Sequence, residues 1–359
     1  MNDAYTYDDV LIQPGYSDVR SRSTDVDIST KLGAIKMRVP VITSNMKTIT
    51  GPKMAANIAA YGGLGILHRF CTIEDNVSMY IESANEFYDI CNDIEMRKLF
   101  TLMPGDAIIN IGVSIGVKDE DKKRFDKLYA AGARIFCIDV AHGHHILVKE
   151  MLNWISSNSV KQTYDFRKGI TIIAGNIATP EAYEDMAEWG ADVVKVGIGS
   201  SPVCRTRYNT GVGIPQLYAL DTIYTASLKC ENPPAIIADG GIDHPGNVAK
   251  ALKFSDAVMI GSMIAGSSET PGDVYRNEDG NFYKVYGGSA SGENKGNNRF
   301  VEGIIKTVEF RGHVKYIFRE IEQGIESAFS YVGAHNHTEF QQKCKLVKIS
   351  IGSQKESKI

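Results

Sequence analysis

The chain has 359 residues, 43% of them hydrophobic, and a formal net charge of −4. This composition is ordinary for a globular protein, and the weak charge gives no electrostatic reason to expect nucleic acid or an anionic membrane as a partner. No signal peptide and no run of eighteen apolar residues is visible, so we expect a cytoplasmic protein. The six cysteines are scattered without a CxxC pair, which argues against a zinc site and a disulfide framework.

Eight short apolar runs alternate along the chain with stretches of helical character. The runs are Val39–Ser44, Gly63–His68, Asp106–Val113, Arg134–Val140, Ile170–Ala174, Ala191–Val196, Pro234–Asp239 and Ser255–Gly261. Eight strand–helix units predict a parallel (β/α)8 barrel, the TIM-barrel α/β fold, and apolar strands suit burial on both faces. The alternative, an open doubly wound sheet, would typically carry Gly-x-Gly-x-x-Gly after its first strand, and none occurs there.

In a barrel the carboxyl ends of the strands share one face, where active sites of this fold lie. The residues predicted at these ends are largely polar. They are Asn45, His68, Ser114, Asp139, Asn176, Cys204, Asp239 and Gly261. Individually, Asn45 and Asn176 could be turn residues and His68 could be a core histidine, but so polar a set is hard to explain by stability alone.

Three histidines crowd the loop after the fourth run, at His142, His144 and His145. Their spacing lacks the i, i+4 geometry of a helical zinc pair, and no partner ligands accompany them. We therefore expect no zinc site in this loop.

The sixth run ends in a glycine-rich loop that contains Cys204. Arg205 and Arg207 flank the cysteine with positive charge, which favours the nucleophilic thiolate, and Thr206 offers a hydroxyl that could relay a proton. A buried core cysteine, the ordinary alternative, would not need these neighbours.

Two later strand ends have the chemistry of a nucleotide site. At Asp239–Gly241 a carboxylate can accept hydrogen bonds from ribose hydroxyls, while the bare glycine backbone allows a sugar phosphate to approach. Gly261 and Ser262 could supply amide donors to a phosphate, since barrel phosphate sites often lie between the seventh and eighth strands. A pair of ordinary strand–helix turns is the alternative.

After the eighth run the chain leaves the barrel. Residues 269–311 form a polar excursion that we expect at the barrel mouth as a flap, with a small hairpin over Asp273–Lys284. A closing helix is predicted over Gly312–Phe329, and the basic tail 343–359 is predicted to be mobile. The whole chain, 1–359, is thus expected to form one barrel domain.

The motif Gly-Ile-Gly…Cys204-x-Thr-Arg-x-x-Thr-Gly-Val-Gly-x-Pro-Gln216 resembles the active-site loop of the IMP dehydrogenase/GMP reductase family. The resemblance extends from Tyr7-Asp-Asp-Val-Leu-Ile to Ser330-Tyr-Val-Gly-Ala334. Thr-Gly-Val-Gly is closer to the reductase branch. Only the short segment Asn92–Gly105 stands where dehydrogenases carry an inserted regulatory (CBS) domain, and Phe300 follows Arg299 where they have an Arg-Tyr pair that activates water.

The resemblance implies roles for residues at the matching positions. Catalysis would fall to Cys204, Thr206 and Glu302. Substrate contacts would come from Asp239, Gly240, Gly241, Gly261, Ser262, Gly288, Ser289, Ala290, Arg299 and Gly303. Cofactor contacts would come from Asp139, Val140, Ala141, Ile198 and Gly199. A monovalent cation, K⁺, would be held by Gly199, Ser201, Cys204 and Arg207.

The activity implied by the resemblance is NADPH-dependent reductive deamination of GMP to IMP and ammonia through a covalent thioimidate on Cys204, in a homotetramer. Two alternatives stay open at this point. One is an IMP dehydrogenase that lacks its regulatory domain, and the other is a non-catalytic barrel that binds purine nucleotides.

Overall fold

The computed structural model describes residues 3–93, 109–157, 169–201, 203–288 and 304–356. Its strands, in chain order, are β1 Val10–Gln13, β2 Thr30–Leu32, β3 Ile35–Met37, β4 Val41–Thr43, β5 Leu64–Leu67, β6 Ile111–Ile115, β7 Ile135–Asp139, β8 Thr171–Ile177, β9 Val193–Val196, β10 Ala235–Asp239, β11 Ala257–Ile260, β12 Tyr275–Arg276, β13 Phe282–Gly287, β14 Ile305–Glu309 and β15 Lys345–Lys348.

Helices surround these strands. After a 3-10 turn at Tyr7–Asp9 they are α1 Arg22–Asp25, α2 Pro52–Ala60, α3 Ile73–Asn92, α4 Asp119–Ala130, α5 Ile146–Ser157, α6 Pro180–Glu188, α7 Thr206–Thr210, α8 Gln216–Ser227, α9 Pro245–Leu252, α10 Val314–Val332, α11 His337–Lys343 and α12 Ile351–Glu356. None of the helices in the described ranges is long and apolar enough to cross a membrane.

Strands β4 to β11 form a closed barrel in which every neighbouring pair is parallel. The barrel closes where Val258 of β11 pairs with Val41 of β4. Helices cover the outer face, so the strands are buried on both sides and their sequences are nearly continuous in apolar residues. The predicted (β/α)8 fold is confirmed.

Two of the helices that follow barrel strands begin at prolines, Pro52 and Pro180. Proline suits the first turn of a helix because its fixed φ is already helical and the missing N–H would have no partner there. The closing helix is also formed, as α10. Its buried Ile317, Ile321 and Ile325 recur every four residues and form one apolar face.

The amino end of the barrel is plugged by the β2–β3 hairpin. Leu32, Ile35 and Met37 are buried and belong to one apolar cluster with inward-facing residues of the barrel strands, among them Ile42 and Ile237. These barrel strands carry the predicted polar residues at their carboxyl ends. The hairpin therefore seals the interior on the side away from the strand ends.

Outside the barrel, the hairpin predicted over Asp273–Lys284 is formed by β12 and β13, and β14 adds a third antiparallel strand. The tail that the sequence predicts to be mobile contains β15, which pairs antiparallel with β1, and helix α12. The pairing joins residues more than 330 positions apart, Val10 with Lys348 and Gln13 with Lys345. Local sequence carries no signal for it.

Replacing Leu32 with alanine tests the plug. A cavity in this buried cluster should lower the free energy of unfolding by about 2–5 kcal/mol, read from the urea midpoint and slope. Leu11→Ala is the matched control, since Leu11 is 37% exposed on β1. Equal losses for the two variants would show that the plug does not support the barrel.

Candidate active site

A cavity of about 680 Å³ opens at the carboxyl ends of the barrel strands. Six of the eight predicted strand-end residues line it: Asn45, Asp139, Asn176, Cys204, Asp239 and Gly261. Ser114 lies behind this lining and accepts a 2.8 Å hydrogen bond from Asn45 Nδ2. The volume suits a ligand larger than one small metabolite. The residues that the barrel brings together thus belong to one pocket.

His68 is buried, and its Nδ1 accepts a hydrogen bond from the Phe70 backbone N–H at 3.2 Å. Burial lowers the pKa of His68 to about 4, with the charges of Lys47 and Arg124 adding to the effect. A neutral imidazole with a local backbone partner fits a core histidine, which is the ordinary role that the sequence left open.

The thiol of Cys204 faces the cavity from the loop after β9. Its Sγ lies 3.1 Å from Thr206 Oγ1, the first residue of α7. The Cys204 backbone N–H donates to the Ser201 carbonyl at 3.0 Å, which closes a tight turn. A cysteine and a hydroxyl at this distance can exchange a proton directly.

The two flanking arginines contact the loop itself. The Arg205 guanidinium lies 5.9 Å from the centre of the Tyr208 ring, and Arg207 donates to the carbonyl of Ile214. Thr206, rather than either arginine, is the side chain in contact with the thiol. Both arginines therefore help to fix the conformation of the loop that carries Cys204.

Gly197 allows the cysteine loop to lie against the end of β10. Its φ is +150°, and a Cβ at this position would be 1.9 Å from the carbonyl oxygen of Asp239. Any other residue would push the two strand ends apart. The glycine thus brings Cys204 and Asp239 into one pocket.

A buried ammonium group lies at the base of the pocket. Lys195 on β9 is 3% exposed, and its Nζ lies 2.9 Å from Asp239 Oδ2 and 3.2 Å from Asp139 Oδ1. It also donates to Asn176 Oδ1, while Asn176 Nδ2 donates to Asp239 Oδ2 at 2.9 Å. Burial alone would lower the pKa of Lys195, but the two carboxylates outweigh it and raise the pKa.

Lys195 and Asn176 thereby fix both predicted carboxylates, Asp239 of the substrate site and Asp139 of the cofactor site. Sequence reasoning missed Lys195, although a lysine inside an otherwise apolar strand is a signal, since a buried charge needs a partner of opposite sign. The Asp139 side of the pocket is lined by the predicted Val140, Ala141, Ile198 and Gly199, together with Arg69, Phe70 and Lys118, which the sequence did not single out. Arg69 donates to the Asp139 carbonyl from Nη2 and Nε, at 3.2 and 3.3 Å.

The opposite side of the pocket is lined by backbone and hydroxyl groups. The predicted residues there are Gly240, Gly241, Gly261, Ser262 and Gly288. Ser200, Ser201 and Tyr286 join them. The Tyr286 hydroxyl lies 3.2 Å from where a Cβ on Gly261 would be. Burial raises the pKa of Tyr286 to about 12. The negative charge of Asp239 also raises this pKa, and a hydrogen bond with Ser201 lowers it. Tyr286 is therefore a neutral donor.

Five predicted site residues, Ser289, Ala290, Arg299, Glu302 and Gly303, lie outside the described residues, as do most of the segment Asn92–Gly105 and residues 289–303 of the excursion. Their roles stay predictions from the resemblance.

The histidine loop shows no metal geometry. His144 Nε2 lies 2.7 Å from Asp185 Oδ2, and His145 Nδ1 accepts from the Leu147 backbone N–H. Within the described ranges no group of three or more His, Cys, Asp or Glu side chains could hold a metal ion.

The proposed K⁺ ligands are largely engaged with each other. The Ser201 carbonyl accepts from Cys204 N–H and the Arg207 carbonyl from Gly211 N–H, both at 3.0 Å. The Arg207 side chain also packs on Gly199, with Nε 3.0 Å from where a Cβ on Gly199 would be. The K⁺ site stays a prediction from the family resemblance.

A barrel whose strand ends bring a nucleophilic thiol, paired carboxylates and a glycine-lined recess into one pocket defines a class of protein, the TIM-barrel enzymes. The family model of the IMP dehydrogenase / GMP reductase domain matches residues 4–359. The chain therefore belongs to the IMP dehydrogenase/GMP reductase family, as the sequence motifs indicate.

Individual relatives agree with this assignment. GMP reductase of Acidovorax ebreus is 36% identical over 334 residues, 92% of this chain and 91% of the relative. GMP reductase of Lactobacillus acidophilus is 34% identical with the same coverage. A crystal structure of a cysteine-to-alanine variant of GMP reductase from Trypanosoma brucei, in complex with guanosine 5'-monophosphate, matches with a TM-score of 0.86 and 26% identity, covering 100% of this chain and 98% of that one.

Replacing Lys195 with methionine tests the buried network. Methionine keeps the volume but leaves two carboxylates facing each other, which should cost about 3–5 kcal/mol in the free energy of unfolding at neutral pH. The deficit should shrink as the pH falls towards 5, because a proton taken up by one carboxyl relieves the repulsion. Urea denaturation at several pH values measures this, with the exposed Lys229→Met as control. A deficit that does not change with pH would contradict the network's electrostatic role.

Proposed function

We propose that this chain is a GMP reductase that converts GMP to IMP and ammonia with NADPH as reductant. The single observation that carries the proposal is the thiol of Cys204, 3.1 Å from the Thr206 hydroxyl, in the same pocket as the carboxylate of Asp239. The names of the relatives support the same reaction. We also propose, from the family resemblance, that the protein is a cytoplasmic homotetramer with residues 269–311 at the barrel mouth.

In this proposal the nucleotide occupies the Asp239 side of the pocket. The carboxylate of Asp239 accepts hydrogen bonds from ribose hydroxyls, since its position is fixed by Lys195 and Asn176. The phosphate lies against Gly240, Gly241, Gly261 and Ser262, where backbone amides can donate, with Tyr286 as an added donor. Gly288, Ser289 and Ala290 contact the purine, and Arg299 and Gly303 are further substrate contacts that the family resemblance implies.

NADPH would be held on the Asp139 side, by Asp139, Val140, Ala141, Ile198 and Gly199. The described residues fit such a group, because a carboxylate held by Lys195 faces a recess lined by apolar side chains and bare backbone. Bound there, NADPH supplies the hydride for C2 of the purine.

The protein's own chemistry begins at the thiol. Cys204 reacts as its thiolate, with the Thr206 hydroxyl relaying the thiol proton to water, and the sulfur attacks C2 of the purine to form a carbon–sulfur bond. The amino group on C2 leaves as ammonia once it is protonated, and Thr206 and Glu302 deliver that proton. The carbon–sulfur bond breaks after reduction at C2, and the thiolate is regenerated. Splitting the substitution in this way replaces one high barrier by two lower ones.

Two absorbance assays test the function. The proposal requires a loss of NADPH absorbance that depends on GMP, with IMP and ammonia formed in equal amounts. Formation of NADH from NAD⁺ and IMP would instead identify a dehydrogenase. Tight GMP binding without either reaction would indicate a nucleotide-binding barrel without catalysis.

Cys204→Ala should lower turnover by at least about a thousandfold, because no other group can form the covalent intermediate. GMP affinity by calorimetry should stay within about tenfold, since the thiol contributes little to binding the ground state. Cys230→Ala, at a half-buried cysteine that does not line the pocket, is the matched control. Turnover of Cys204→Ala at a tenth of the wild-type rate would remove Cys204 from the nucleophile's role.

Glu302→Gln should separate deamination from reduction. Glutamine keeps the size of the side chain but cannot transfer the proton that ammonia needs, so GMP reduction should fall by about 10²–10⁴-fold. The reverse hydride step moves no proton and should be largely retained, seen as a burst of NADP⁺ reduction on mixing with IMP. An equal fall in both reactions would mean that Glu302 supports the site's structure and moves no proton.

A further inference from the structure

A second buried lysine lies outside the pocket, on β13. Lys284 is 1% exposed, and within the described ranges it forms no ion pair. Its Nζ donates instead to two backbone carbonyls, those of Ser267 at 3.2 Å and Thr270 at 2.6 Å. Burial lowers the pKa of Lys284, while the negative charges of Glu269 and Asp273 raise it by a smaller amount. A desolvated charge held only by carbonyls is costly, so its position needs a reason.

The two carbonyls belong to the segment that follows the eighth barrel strand, β11. This segment begins at Gly261 and Ser262, on the proposed phosphate side of the pocket. Thr270 Oγ1 donates to the carbonyls of Ala265 at 3.2 Å and Ser267 at 2.8 Å, which folds the segment into a compact turn. The ammonium of Lys284 is bound to this turn much as a free cation would be bound by carbonyl oxygens.

The strand that carries Lys284 also carries Tyr286. Residues two apart in a strand point to the same face, and both side chains are buried. Tyr286 lines the pocket, and its hydroxyl lies near Gly261. One residue later, Gly287 exchanges two 3.1 Å hydrogen bonds with the Thr48 side chain. Lys284 and Thr48 therefore hold this stretch of β13 from its two sides, with Tyr286 between them.

We propose that Lys284 is a positioning residue for nucleotide binding: its ammonium acts as a tethered cation that locks β13 onto the turn at 265–270. The lock sets the Tyr286 hydroxyl against Gly261 and Ser262, and it directs the chain at Gly288 towards the purine. This proposal rests on the proposed function for the identity of the nucleotide. The contacts that hold β13 to the turn belong to the described fold.

Its effect should appear in KM rather than in kcat. The groups that Lys284 positions contact the phosphate, which is bound equally in the ground state and the transition state. Losing these phosphate contacts weakens the binding of both states equally, which raises KM and leaves kcat nearly unchanged. If Lys284 had only a structural role, its replacement would lower the melting temperature without a selective rise in KM.

The chain offers a matched control in Lys250 of α9. Lys250 is 7% exposed, and its Nζ also donates to oxygens at similar distances, the Tyr7 carbonyl at 3.0 Å and Asn247 Oδ1 at 3.1 Å. It does not line the pocket. Lys250→Met therefore removes a comparable buried ammonium from an element other than β13.

The experiment compares Lys284→Met, Lys284→Gln and Lys250→Met in the full chain. Lys284→Met should raise KM for GMP by roughly ten- to hundredfold, the loss expected for a charge-assisted contact, with kcat within about threefold. Hydrogen–deuterium exchange over residues 282–287 should become faster. Lys284→Gln, which keeps a neutral donor, should lie between this variant and wild type. Lys250→Met should change neither KM nor exchange over that segment, even if its melting temperature falls.

Several results would overturn the proposal. They are an unchanged KM for Lys284→Met, a fall in kcat alone, or the same KM change in Lys250→Met. If both Lys284 variants fail to fold while Lys250→Met folds, Lys284 is a folding residue and the positioning role is wrong. If the wild type shows no GMP-dependent NADPH oxidation, the proposed function fails instead, and the exchange rates together with direct GMP binding by calorimetry still decide the role of Lys284.

Discussion

The pocket depends on one buried positive charge. Lys195 lies between two carboxylates, with Nζ 2.9 Å from Asp239 and 3.2 Å from Asp139. Without it, two largely buried acidic side chains would face each other at the base of the pocket, where like charges repel strongly. Burial of an ion pair is expensive, and such a pair adds little to stability by itself. Its value here is positional, because it holds the two pocket carboxylates in fixed places.

The barrel's topology makes this arrangement possible. Four adjacent strands, β7 to β10, contribute Asp139, Asn176, Lys195 and Asp239 in turn. Parallel strands place their carboxyl ends at one edge, so residues far apart in sequence meet within hydrogen-bonding distance. Gly197 then lets the cysteine loop lie against Asp239. The thiol proposed as the nucleophile thus shares one frame with the two carboxylates of Asp139 and Asp239.

The sequence predicted the parts of the site that follow from strand periodicity and strong local motifs. The barrel strands are recognisable in the sequence as apolar runs, and Asp139, Cys204 and Asp239 lie at or just after the ends of three of them. Lys195 could not be predicted in the same way because it lies inside such a run. Its role depends on Asp139 of β7 and Asp239 of β10, which only the fold brings next to it. The place of Tyr286 in the pocket depends on tertiary packing, since β13 lies outside the barrel. The β1–β15 pairing was missed for the same reason, and the basic tail suggested mobility instead.

A crystal structure of the protein with GMP would test the central claim most directly, namely that Lys195, Asp239 and the cysteine loop form one nucleotide site. The account predicts the ribose hydroxyls on Asp239, the phosphate between Gly241, Gly261 and Tyr286, and purine C2 about 3–3.5 Å from Cys204 Sγ, a reactive distance. A nucleotide bound with its phosphate against Arg69 and Lys118, and its purine turned away from Cys204, would contradict the account.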